Sequence, residues 1–182
     1  MNKVLKVCGS AMLALSAASF AGADSVTLKF HTMVPMPANS NAKFVKPWAD
    51  KISAESNGEI KVEMYPSMQL GGAPPQLVDQ VRDGVVDIVW TVAGYTPGRF
   101  PRLEVFELPF MPAAATPTSQ AIQEYVDTVA ADDLKDYKVL AVHVHAPGKI
   151  HTKNRLIKSA ADLKGLKMRG PTRPITQMLE KM

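Results

Sequence analysis

Val85-Val86-Asp87-Ile88-Val89-Trp90-Thr91-Val92 (residues 85–92) is a nearly continuous apolar run that follows Gly84 and stops before Gly94. Its length suits a strand, and apolar character without strict alternation fits burial on both faces of a parallel sheet. Upstream, Pro74-Pro75 opens a helix that reaches Asp83-Gly84. Before it, Glu59 to Tyr65 alternates cleanly, with Ile60, Val62 and Met64 inward. A further helix runs from a cap at Asn39 or Ser40 to about Ser56 and ends at Asn57-Gly58. Phe44, Val45, Trp48, Ala49 and Ile52 form its buried side, and Pro47 is tolerable only near its start. Ser25 to Thr32 is the first strand, with Val26, Leu28 and Phe30 on one side. Three strands separated by two helices make a β-α-β-α-β unit with right-handed crossovers.

Downstream, Gly94-Tyr95-Thr96-Pro97-Gly98-Arg99-Phe100-Pro101 is a long structured loop, and Val105 to Phe110 adds a short strand or extended segment. A helix spans about Ser119 to Asp136 on the spacing of Ile122, Tyr125, Val126, Val129 and Leu134. Lys138 to Val144 reads as another buried strand, passing into His145-Ala146-Pro147-Gly148, the expected crossover between domains. Ser159 to Leu163 is one helical turn, Leu166 to Arg169 a short strand, and a last helix starts at Pro174. The expected division is therefore a leader (1–23), a first α/β lobe (24–144), and a hinge with the incomplete start of a second lobe (145–182).

The leader is read from Lys3 and Lys6, the mostly apolar run Ala11 to Phe20, and the small residues Ala21-Gly22-Ala23. That is a secretory pattern, with cleavage expected near Ala23-Asp24 and a periplasmic destination. The chain's cysteine, Cys8, falls inside it, so the mature protein is expected to form no disulfide. Of 182 residues, 46% are hydrophobic and 21% charged, as in an ordinary globular protein. Setting aside Lys3 and Lys6 reduces 21 basic residues to 19, against 17 acidic ones. An excess that small and scattered argues against nucleic acid.

Ligands of open α/β sheets collect outside the carboxyl ends of the strands. Arg169 stands at such an end, beside Gly170-Pro171, where a guanidinium fork can grip a carboxylate. Trp90 and Tyr95 flank the end of the third strand; Gln69, with Gly71 and Gly72, offers backbone amides; Arg99 lies in the proline-rich loop. Arg99 and Arg102 also suit bracing of that loop against Glu104 or Glu107. Among the histidines, His31, His145 and His151 are candidate ligand contacts, while His143 and His145 share one face of a strand. No spacing matches a zinc site, a nucleotide loop or a nucleophile elbow, so binding without metal, cofactor or catalysis explains the pattern most economically.

Met68-Gln69-Leu70-Gly71-Gly72, Gly84-Val85-Val86-Asp87-Ile88 and Asp162-Leu163-Lys164-Gly165-Leu166-Lys167-Met168-Arg169, in this order after an export signal, carry a family resemblance. The chain resembles the solute receptors of tripartite ATP-independent periplasmic (TRAP) transporters, the dicarboxylate-type (DctP) branch. The resemblance implies a periplasmic binding protein-like, two-lobe α/β fold of type II, truncated here in its second lobe. It also implies a monomeric receptor that closes on a small organic acid and delivers it to an ion-gradient-driven TRAP membrane permease. Arg169 matches the family's cleft arginine. Where many relatives have another arginine, this chain has His145, Lys149 and His151. That departure points away from a dicarboxylate or a sialic acid, toward a monocarboxylate with a keto, hydroxyl or aromatic group. The rival readings are a receptor of an ATP-driven importer or a sensing domain, which the neighbouring genes separate, and an exported hydrolase, which turnover would reveal.

Overall fold

The computed structural model describes residues 25–112 and 114–182, so the expected leader and its cleavage site lie outside the described residues. Strand β1 (Val26–Thr32) occupies the centre of a three-stranded sheet, paired in parallel with β2 (Ile60–Tyr65) and β3 (Ile88–Trp90). The register sets His31 beside Tyr65 and Thr32 beside Trp90. The carboxyl ends of all three strands therefore reach one edge together. On β1, Phe30 turns to one face and meets Trp48, with ring centroids 6.4 Å apart; His31 turns to the other. Both are buried, because helices cover both faces of the strand.

The helix joining β1 to β2 differs from the expected one in its first turns. It opens with a π-helical turn, Asn41–Val45, and only then becomes α1 (Lys46–Glu55). Pro47 explains the change. In an α-helix its ring would clash with the carbonyl four residues back and it has no N–H to give. The wider turn, in which the Lys46 N–H bonds to Asn41 O, makes room. The extra residue rotates the following face, so Asn41, Val45 and Ala49 point inward while Phe44 is left 66% exposed, contrary to its expected burial.

Helix α2 (Leu77–Arg82) follows a 3₁₀ turn at Pro74–Gln76, and Leu77 is fully buried. Gly84, at φ +72°, ends this helical stretch, as only glycine does without strain. The expected strand from Val85 shortens to β3, because 85–87 is spent on a turn. The Val85 and Val86 amides both bond to Gln80 O, and Asp87 takes the Lys29 amide on its carboxylate at 2.8 Å.

Leu103–Glu107 is a 3₁₀ turn, where a strand or extended segment was expected from Val105. Helix α3 (Ala115–Thr128) starts earlier than Ser119, with Pro117 tolerated in its first turn, and gives way to a 3₁₀ turn at Ala131–Leu134. Val129 is consequently exposed. Phe100, Leu103, Ile122, Val126 and Ala130 close around Val78 as the core beneath the sheet. Residues 138–144 are extended but form no ladder. The Val142 and Val144 amides go instead to the Gln123 and Ser119 side chains of α3, at 3.0 and 3.1 Å. Residues 166–169 likewise lack strand pairing.

The turn Ala160–Leu163 has the expected form. Ser159 caps it and Asp162 reaches back to the Ser159 amide at 2.9 Å. Hydrogen bonds from the Lys158 amide, then from the Ser159 hydroxyl and amide, hold the Asp162 carboxyl below its ordinary value of 3.8. A depressed folded pKa means that the contribution is complete above that ordinary value and disappears as pH falls through the lower, folded one. Asp162→Asn should thus unfold at lower urea than the wild type at about pH 7, with the two midpoints converging as pH falls below the ordinary carboxylate range and through the folded value. Helix α4 (Arg173–Glu180) follows, with Thr172 at its N-cap position but its hydroxyl making no capping bond.

Candidate functional site

Beyond the carboxyl end of β1, the loop 66–73 folds tightly, with Ser67, Met68, Gly71 and Gly72 all at positive φ. His31 supports it from below. Gln80 Nε2 donates to Gly71 O at 3.1 Å, which leaves Gln80 Oε1 to accept from His31 Nδ1 at 2.8 Å. His31 Nε2 must then be the acceptor for the Leu70 amide, 3.4 Å away. With no exposed surface and both ring nitrogens engaged, His31 offers a ligand no free polar atom and acts as the strut of the loop. Gln69 lies on the exposed top of that loop, its amide bonded to Pro66 O.

Trp90, half-buried at the end of β3, donates its indole N–H to His143 Nε2 at 2.9 Å. The two ring planes are 9° apart with centroids at 5.8 Å. An indole N–H lies in the ring plane, so near-parallel rings joined through it at this centroid separation sit side by side rather than face over face. From sequence, His143 shares one strand face with His145, and His145 and His151, which bracket the expected crossover, are the preferred contacts, so the bond to Trp90 is not foreseen. The available signal was Trp90 itself, a donor at a strand end in want of an acceptor.

Tyr95 closes a 3₁₀ turn after β3 and lines an open cleft of about 500 Å³ with Gln76, Asp79 and Arg99. Arg99 is committed to structure: its guanidinium donates to Asp79 and to the Tyr137 hydroxyl, both at 3.0 Å. It does brace the loop, but against α2 and the segment after α3 rather than against Glu104 or Glu107. Arg102 similarly pairs with Asp133, while Glu104 accepts the Gly98 amide at 2.8 Å.

Arg169 is exposed, and no acidic side chain among the described residues lies within ion-pair distance of it. Three residues on, Thr172 abuts the loop after β3. A Cβ added to Gly94 would lie 2.7 Å from Thr172 Cγ2 and 2.9 Å from Glu107 Cδ. The Arg169 segment is thereby docked to the strand-end loops through Gly94, Glu107 and Thr172. Glu107 went unnoticed there because nothing in its neighbourhood in sequence announces that Thr172, 65 residues on, packs against the same glycine. Gly170 is required beside Arg169, since a Cβ there would come within 2.9 Å of the Thr176 backbone. Gly170→Ala should push the first turn of α4 outward and cost about 1–3 kcal/mol in urea unfolding.

His145 is exposed, and among the described residues its side chain hydrogen-bonds to its neighbour, Nδ1 lying 2.5 Å from Ala146 O; His151 is exposed as well. Neither meets His31. Among the described residues no three His, Cys, Asp or Glu side chains gather as metal ligands, and no helix is long and apolar enough to cross a membrane.

Residues 31–182 match the profile of the DctP family, "Bacterial extracellular solute-binding protein, family 7". A crystal structure of a marine-metagenome TRAP solute-binding protein, described as specific for aromatic acid ligands and holding 3-hydroxybenzoate, is 82% identical over 86% of this chain and 49% of its own, with a TM-score of 0.84. A TRAP solute-binding protein from Rhodoferax ferrireducens, with copurified benzoate, is 60% identical over 86% of this chain and 48% of its own, with a TM-score of 0.83. "Outer membrane transporter protein TsaT" of Comamonas testosteroni is 33% identical over 172 residues, 92% of this chain and 49% of that protein. The chain thus spans about half the length of these relatives. With a family profile covering residues 31–182 and crystal structures of TRAP solute-binding proteins superimposing on the same fold, the chain belongs to the DctP family of bacterial extracellular solute-binding proteins.

Proposed function

We propose that this chain is the ligand-capturing part of a periplasmic receptor for a small aromatic monocarboxylate, which it delivers to the membrane permease of a TRAP transporter. The observation that carries the reading is its 82% identity to a receptor described as specific for aromatic acids. The benzoate held by a 60% identical relative supports the same ligand class. In this reading residues 24–144 form the first lobe, residues 145–182 begin the second, and the site lies between them. Arg169, exposed and free of an acidic partner, takes the carboxylate through its two-pronged donor face. Trp90 and Tyr95 face the organic body, and Gln69, His145 and His151 stand at the rim. His31 and Arg99 serve the site by holding the loops at 66–73 and 94–101 rather than by contact. Closing the lobes excludes water and strengthens the ionic contact, so closure is favoured when the acid is present. The receptor binds without turnover and needs no metal or cofactor.

The test is calorimetric titration of the receptor at its natural length with benzoate, 3-hydroxybenzoate, succinate and a sialic acid. Micromolar or tighter binding confined to the aromatic monocarboxylates is expected. Binding of succinate or a sialic acid in their place would overturn the reading.

A further inference from the structure

We propose that Trp90 and His143 act as one flat wall against which the ring of the acid lies, making His143 a specificity-determining residue of the site. This rests on the aromatic-acid reading above and adds to it the residues that select a planar ring. The geometry supplies the argument. Trp90 stands at the carboxyl end of β3, level with Thr32 of β1, on the edge where the strand-end loops gather. Its indole N–H can only donate, so His143 Nε2 must accept, and the imidazole carries its proton on Nδ1. The in-plane bond at 2.9 Å, with ring planes 9° apart, fuses the two rings into one surface wider than either. An isolated tryptophan at a strand end could swing about its side-chain torsions; one tethered to His143 is held at a fixed angle before ligand arrives.

His143 is presented by the extended segment 138–144, whose Val142 and Val144 amides are fastened to α3 on either side of it. Alternation along that segment turns Val142 and Val144 to the core and leaves His143 exposed. The wall is therefore anchored from both ends yet remains open on the side away from the core. Among the described residues His143 Nδ1 has no partner, which leaves an N–H at the far edge of the wall available to an oxygen substituent on the ring. A flat wall favours a flat partner. Offset face-to-face contact between aromatic rings adds roughly three- to ten-fold in affinity beyond simple burial. A saturated ring, puckered and without a π face, gains only the burial.

The test compares benzoate with cyclohexanecarboxylate, which share the carboxylate and the approximate size, on the receptor at its natural length. The wild type should prefer benzoate by roughly ten-fold. His143→Ala, Trp90→Leu and the ring-retaining Trp90→Phe, which lacks the N–H, are titrated beside it, with circular dichroism to show that each folds. Collapse of the benzoate preference to within about three-fold in His143→Ala and Trp90→Leu, because benzoate loses more affinity than cyclohexanecarboxylate, is the expected result. Trp90→Phe should fall between them and the wild type. Parallel loss of both ligands in His143→Ala would overturn the proposal, since it would make the pair a clasp between β3 and residues 138–144. Wild-type protein that binds neither acid would overturn the aromatic-acid reading itself.

Discussion

Arg169→Ala should weaken binding of the aromatic acid by about 30- to 1,000-fold, the equivalent of roughly 2–4 kcal/mol. The size of the effect follows from what is left behind. A carboxylate enclosed between lobes without its guanidinium is a partly desolvated charge with no counterpart, and that penalty adds to the lost hydrogen bonds. Arg169→Lys should recover only part of the loss, because an ammonium keeps the charge but not the parallel pair of N–H donors that matches two carboxylate oxygens. Stability should hardly change in either variant, as Arg169 is exposed and engages no acidic side chain among the described residues. Titration calorimetry with benzoate, paired with urea unfolding, separates the two effects. Equal affinity in wild type and Arg169→Ala would remove Arg169 from the site.

The opposite pattern is expected at His31. His31→Leu fills much of the same space but takes away the donor to Gln80 Oε1 and the acceptor for the Leu70 amide. Two polar groups then lack partners in a place with no exposed surface at the histidine, which should cost about 2–4 kcal/mol of stability. Gln80→Ala should cost less, because water can replace part of what a half-exposed glutamine supplies. The double variant should be well short of additive, since both residues support the same loop. Urea midpoints for the four proteins decide it; additive losses would mean that the three-part network does not act as a unit. Any change in affinity should follow loosening of residues 69–72 and remain smaller than that of Arg169→Ala.

Much of this structure was legible where a local rule acts alone. Pro74 opening a helical stretch, Gly84 ending it, and Ser159 capping a turn with Asp162 all depend on residues a few positions apart. The parallel order of the strands followed from alternating strands and helices. What escaped depends on distant partners. Nothing beside His31 reveals that Gln80, 49 residues on, would occupy its Nδ1. Residues 138–144 have the composition of a buried strand, yet side chains of α3 take the amides that a neighbouring strand was expected to take. The outward turn of Phe44 needed the π-helical response to Pro47, a conflict that periodicity alone does not weigh. At the candidate site, Arg169 is singled out in the sequence by its setting beside Gly170-Pro171, although residues 166–169 pair with no strand, whereas the Trp90–His143 bond joins residues 53 positions apart and has no local signal beside His143.

The fastening of Arg99 has a mechanical result. Through Asp79 and Tyr137 it ties the proline-rich loop to α2 and to the segment after α3, and Arg102 adds a contact to Asp133. That side of the cleft is stiff, so little of the proposed closing stroke can be taken up there. In the proposed receptor the bending is expected at residues 145–156, every one of them exposed. If the proposed receptor bends there, alterations at residues 145–156 should change how fast the acid is enclosed more than which acid is chosen.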